Sequence, residues 1–164
     1  MPFAYSTNLN AVTQALTDYN TTTATPYLSS GLTRRVVTIR SGDPEVESIR
    51  TIDFPMVLVR VNSKNEEPAG LGETGPSRAR KFADVSYDIF AMYLREGLHT
   101  TERVHRTEVY TLAQNIEGVF QQEMQLSSTA LWCHPERTEF QTFQADGEAV
   151  KGALITLRAR YLFR

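Results

Sequence analysis

Residues 151–164, KGALITLRARYLFR, alternate apolar and polar side chains along their whole length. An alternation of period two is typical of a β-strand with one buried face, because successive side chains point to opposite sides of a sheet. The apolar set is Ala153, Ile155, Leu157, Ala159, Tyr161 and Phe163, and the intervening set includes Thr156, Arg158, Arg160 and Arg164. The stretch therefore predicts a long strand that buries one face and presents a basic one. Because termini fray unless something holds them, we expect this strand to lie inside a sheet.

The composition predicts one globular domain over residues 1–164. The chain is 41% hydrophobic and 22% charged, with a formal net charge of -2 and a pI of about 5.9, which argues against a generally basic nucleic-acid binder. No run approaches the ~20 apolar residues of a membrane span, and the N-terminus has no secretory-signal pattern. The single cysteine, Cys133, excludes an internal disulfide and fits a reducing compartment.

Hydrophobic periodicity outlines the remaining elements. The spacing predicts a short amphipathic helix at 8–20, with Ser6 or Asn8 as its N-cap, and a long helix at 101–122. Strand patterns occupy 34–40, 51–62, 81–96 and a short segment near 129–133 that is followed by a proline-containing turn. Segregated strands with few helices predict an α+β fold: a mainly antiparallel sheet with the long helix and the short N-terminal helix packed on it.

The most polar stretch of the chain lies between two of these strands. Residues 63–80, SKNEEPAGLGETGPSRAR, carry three glycines and two prolines, so we expect a long loop at the tip of an antiparallel hairpin. Such a loop is either a docking arm for a partner or a plain hairpin tip. Its GLGETG run matches the dinucleotide fingerprint in form only, because no helix can readily follow TGPSRARK.

Catalytic and metal-binding patterns are weak. The histidines His99, His105 and His134 have no zinc-type spacing. Cys133 and His134 are neighbours, which would place them on opposite sides of a strand. A cysteine that packs as a small hydrophobe is the favoured interpretation, and a small enzyme with a Cys133 nucleophile stays the alternative.

The charged residues suggest an interface. Arginines on a strand can bind phosphate, or they can pair with Asp84 and Asp88 across the sheet and contact a neighbouring subunit. The slightly negative net charge favours the second interpretation. Carboxylates in the polar loop are the other candidates. The predicted interface residues are Glu66, Glu67, Arg78, Arg80, Arg158 and Arg160.

Four segments together resemble a known family. They are DVSYDIFAMYLREG (84–97), EVYTLAQNIEGVF (108–120), TALWCHPERTEF (129–140) and KGALITLRARYLFR (151–164). This half of the chain, about 80–164, resembles the tail-terminator and neck (head–tail joining) proteins of tailed bacteriophages. Residues 1–33 match no motif of that family.

The resemblance implies a structural protein of the virion. The family's subunit is a small α+β domain that closes into a ring, typically a hexamer, on the last layer of the tail tube. The ring stops tube polymerisation, contacts the head connector and lets DNA pass. The resemblance implies no cofactor, no catalysed reaction and no membrane, and a location at the tail–head junction after assembly in the host cytoplasm. A strand that finishes with the chain suits such a ring. A head-completion or adaptor protein of the neck is the runner-up, and a nucleic-acid-binding module that uses Arg78, Arg80, Arg158 and Arg160 is a further alternative.

Overall fold

Helices and strands are segregated along the chain, as the sequence predicts. The computed structural model describes residues 3–21, 27–44, 49–50, 53–69, 80–94, 102–145 and 148–163. The elements are α1 (Tyr5–Thr21), a 3₁₀ turn (Tyr27–Ser29), β1 (Thr38–Ser41), β2 (Met56–Pro68), β3 (Lys81–Tyr93), α2 (Glu102–Gln122), β4 (Trp132–Ala145) and β5 (Glu148–Phe163). The predicted α+β class is confirmed.

The five strands form one sheet in the order β1-β2-β3-β5-β4. β1 runs parallel to β2, and every other neighbouring pair is antiparallel. β5 therefore lies between β3 and β4, and its backbone is paired on both sides. The predicted strand at 151–164 is confirmed as far as Phe163, the last described residue, and is an internal strand of the sheet, which explains what holds it in place.

Both helices cover one face of the sheet, called here the helix face. The apolar positions of β5 from Ala153 to Tyr161 are buried there. They pack with Val12 and Leu16 of α1 and with Leu112 and Ile116 of α2 in one large cluster. Because the apolar stripe of each helix meets the apolar alternation of the strands, the hydrophobic pattern fixes which face is covered.

The opposite face of the sheet, called here the second face, carries a smaller apolar cluster that extends over β2, β3 and β5. Met56 and Leu58 of β2 pack with Phe90 and Met92 of β3, and residues 49 and 54 join them. This cluster explains why the sequence around 56–59 is apolar at consecutive positions, since those residues are buried on both faces of the sheet. The chain itself provides part of the second layer that such a strand requires.

Three sequence expectations about the first half of the chain are wrong. α1 begins at Tyr5, so neither Ser6 nor Asn8 is its N-cap, and the Asn8 amide donates to the Ala4 carbonyl at 3.1 Å. The predicted strand at 34–40 is limited to Thr38–Ser41. The polar loop does not begin at 63, because β2 continues to Pro68 and pairs with β3 as far as Lys81. The extension went unrecognised because residues 62–68 of β2 are mostly exposed and carry no apolar alternation.

The predicted short strand near 129–133 is also wrong, since β4 runs from Trp132 to Ala145. Pro135 lies within it, next to a register shift between Pro135 and Arg137. A proline is tolerated there because β4 is an edge strand, where the missing N–H leaves no ladder bond unmade.

Candidate functional site

A line of acidic and basic side chains crosses the second face of the sheet, and we call it the charge ladder. Its five members are Glu67 of β2, Asp84 of β3, Arg160 and Arg158 of β5, and Glu136 of β4. Arg160 donates to Glu67 at 2.8 Å, and its Nε lies 3.3 Å from Asp84 Oδ1. Arg158 lies 3.8 Å from Asp84 and 3.6 Å from Glu136. The ladder thus links four adjacent strands.

The pairing follows from the register. Asp84 stands directly opposite Arg160 in the β3–β5 ladder, where cross-strand side chains of opposite charge attract. The Asp84 side chain is only 12% exposed, and the Arg160 guanidinium also lies 4.6 Å from the centre of the Phe82 ring. The predicted pairing of the terminal arginines with Asp84 is confirmed.

Asp88 has a different partner from the one predicted. Its carboxylate accepts from Arg60 of β2 at 3.1 Å and from Asn62 at 3.1 Å. Arg60 also donates to Asp43 at 2.6 Å. A neighbouring strand thus supplies the cation that this buried carboxylate requires, and the terminal arginines are left to Asp84.

Glu66 belongs to a second cluster, which we call the lysine clamp. Glu66 accepts from Lys64 and, at 3.3 Å, from Lys81, and the hydrogen bond from Lys64 lowers the pKa of Glu66. The Lys64 ammonium lies 5.2 Å from the Phe3 ring centre and 5.1 Å from that of Tyr5. Cation–π contacts of this kind join the hairpin to the start of α1.

The remaining predicted interface residues lie near the hairpin tip. Arg80 is exposed, and its carbonyl accepts the Ala69 amide at 2.9 Å. Arg78 lies outside the described residues, as does most of the predicted polar loop. Each of Glu66, Glu67, Arg158 and Arg160 therefore forms an ion pair within its own chain.

Cys133 is placed as a core residue. Its side chain is 1% exposed, and its thiol donates to the Glu123 carbonyl at 3.2 Å. Burial, together with the nearby Glu123 carboxylate, raises the pKa of the Cys133 thiol to about 12. His134 points away from it and lies against Trp132, with 5.1 Å between ring centres. The pair lacks the thiolate that nucleophilic chemistry needs. Within the described part of the chain, no group of three or more His, Cys, Asp or Glu side chains is arranged to hold a metal ion.

The two edges of the sheet are the features that sequence reasoning missed. At the β4 edge, Phe140 is 53% and Tyr110 of α2 is 42% exposed, and their rings meet edge to face with 4.6 Å between centres. They line an open cleft of about 190 Å³, together with Arg106, Thr142 and Lys151. At the β1 edge, Val37 is 59% exposed. The strand assignments alone do not give the strand order, so no sequence signal identified these residues as edge positions.

Comparisons with known proteins leave the family open. No protein-family description matches the chain, and no curated protein matches it significantly. Among the described residues, no helix has the length and apolar character that a bilayer crossing requires.

Proposed function

We propose that this protein is a ring-forming tail terminator of a tailed bacteriophage, which caps the tail tube and joins it to the head connector. In this role the subunit is a structural component of the virion. It acts through its surfaces, and the ring lets DNA pass through its centre.

What supports this proposal most is the way in which the four resembling segments fold together. They fall on β3, α2, β4 and β5, which form a continuous unit of sheet and covering helix. That unit includes three of the five strands and most of the large core cluster. The resemblance therefore concerns the centre of the domain and is not scattered over its periphery.

The form of the sheet is a second support. Its two edge strands differ in length, direction and side chains, with β1 at one edge and β4 at the other. Two unlike patches on one subunit are what a heterologous, ring-closing interface requires.

The competing functions receive less support from the geometry. Two guanidinium groups of the charge ladder face three carboxylates, so their positive charge is already balanced and offers phosphate little attraction. The buried Cys133 thiol holds its proton at neutral pH, which makes it a poor nucleophile.

Size measurement and binding assays together test the proposal. Mass photometry of the purified protein should detect a closed oligomer, and pull-down should show binding to the phage's tail-tube protein and head connector. An oligomer that binds the connector but not tube ends would reassign the protein as a neck adaptor. A stable monomer that binds neither partner would overturn the proposal. DNA binding that weakens steeply between low and moderate salt would favour a nucleic-acid-binding module instead.

A further inference from the structure

The direction of the two edge strands suits pairing between copies. β1 runs parallel to β2, and successive antiparallel pairs make β2 parallel to β5 and opposite to β4. A rotation about an axis parallel to the strands preserves these directions. It therefore brings β1 of one copy antiparallel to β4 of the next, which is the favourable sense for adding a strand to an edge.

The transverse rows of the sheet place complementary side chains at the two edges. The row that begins at Ile39 passes through Val57, Ala91 and Ala153 and ends at Phe140. The next row begins at Arg40 and ends at Glu139. If the rows continue from one copy to the next, an aliphatic side chain meets an aromatic ring and a cation meets a carboxylate.

The two faces also agree. Ile39 and Phe140 both lie on the helix face, whereas Arg40 and Glu139 lie on the second face. Phe140, which is 53% exposed in the single subunit, would be covered by Ile39 of the next copy.

The backbone alternation is compatible with this register. The Thr38 amide donates to Pro55, just before β2, and the Gly42 amide donates to Val59 of β2. The amide of Ile39, which follows Thr38 in the strand, therefore points to the outer edge. The Cys133 amide points outward to the Met124 carbonyl. Because β5 pairs with β3 without a register break, its own alternation is continuous. At the bulge near Pro135, β4 shifts by one residue against this alternation. Beyond the bulge, the amides that point to the outer edge are therefore those of Thr138, Phe140 and Thr142. Ile39 and Phe140 would then form a hydrogen-bonded pair.

We propose that β1 of one copy pairs antiparallel with the outer edge of β4 of the next, with Ile39 opposite Phe140 and Arg40 opposite Glu139. The five-stranded sheets join into a continuous wall around the ring. This inference rests on the proposed function only in assuming closure into a ring, since it specifies which surfaces of the subunit meet.

Cysteine cross-linking of the full-length protein tests the register. In a hydrogen-bonded antiparallel pair the Cα atoms lie about 5.5 Å apart, which suits a disulfide. The double variant Ile39→Cys/Phe140→Cys should form a ladder of covalent oligomers under mild oxidation, up to the full ring. The native Cys133 is buried and is present in every variant, so it contributes a constant background.

Matched variants make the result specific. Moving the second cysteine to the opposite face, with Glu139→Cys, or along the strand by two residues, with Thr142→Cys, should abolish the ladder. A mixture of the two single variants, Ile39→Cys and Phe140→Cys, should stop at a covalent dimer. Self-cross-linking of Phe140→Cys alone would show that β4 pairs with β4 and would overturn the proposal.

A variant without cysteines provides a second readout. Phe140→Asp should weaken assembly about tenfold or more, because it places a charge in the apolar contact. Leu162→Asp, at a residue that is 43% exposed and away from both edges, should leave assembly unchanged.

The possible outcomes separate this inference from the proposed function. Intact rings that cap tubes without any Ile39–Phe140 cross-link would overturn the edge pairing alone. A covalent ladder from a protein that binds neither tube nor connector would overturn the function alone. A chain that stays monomeric at assembly concentrations would overturn the edge pairing, and tube binding would then decide the function.

Discussion

The hydroxyl pair of Tyr87 and Tyr161 gives a quantitative test of the core. Tyr87 is fully buried, Tyr161 is 3% exposed, and their oxygens are 2.8 Å apart. Tyr161→Phe removes one hydroxyl and leaves the other buried without this partner, which costs about 1–3 kcal/mol. The double variant Tyr87→Phe/Tyr161→Phe removes both groups and should recover most of that loss, because no buried hydroxyl is left unpaired.

Urea unfolding at one fixed protein concentration measures the effect. With a slope of about 2 kcal/mol per molar, a loss of about 2 kcal/mol lowers the midpoint by about 1 M urea. Tyr110→Phe is the matched control, since Tyr110 is 42% exposed and its hydroxyl can reach water. If Tyr161→Phe unfolds at the native midpoint, or if the double variant loses the sum of both single losses, the pairing of the two hydroxyls does not stabilise the fold.

Three other predictions address the ladder, the thiol and the terminal strand. Asp84→Asn should lower the free energy of unfolding by about 1–2 kcal/mol in urea titrations, whereas Glu136→Gln, at an exposed position, should cost less than about 0.5 kcal/mol. Equal losses would contradict the view that the more buried pair of the charge ladder contributes more stability. The unfolded Cys133 thiol ionises near its ordinary pKa of 9.0 and the native thiol near 12, so the free energy of unfolding should fall as pH rises from about 9 to 12. The fall should be less steep in Cys133→Ala, and equal slopes of stability against pH in the two proteins would argue against a buried thiol. Removing residues 158–164 should leave an unfolded or aggregated chain by circular dichroism, because the deletion takes away more than a third of β5, an internal strand. Native-like melting would make that strand peripheral.

The alternation of residues 151–164 was sufficient to predict a long internal strand of the sheet and its buried face. Both helices were predictable for the same reason, since an apolar stripe has to face a core whatever the topology. The pairing of Arg160 with Asp84 was also accessible, because both lie on polar faces of long strands.

Local pattern could not give the features that depend on strand order. Asp88 pairs with Arg60 because the register of β2 and β3 sets the two residues opposite each other, and the predicted hairpin did not specify that register. β4 was underestimated because Pro135 is a strand breaker everywhere except at an edge or bulge. In the turn before β4, residues 126–128 have positive φ although none of them is glycine. Such a turn is not expected from sequence, because residues other than glycine rarely adopt positive φ. The edge pairing needed both the order and the register of the strands.

Tube length tests most directly whether this subunit forms the proposed ring that ends tail-tube growth. Tail-tube protein should be polymerised with and without the purified chain, and the tubes measured in negative stain. With the purified chain present we expect shorter tubes, each with a ring at one end, at a stoichiometry of one ring per tube. Tubes of unchanged length with bare ends, at concentrations where the ring is assembled, would contradict it.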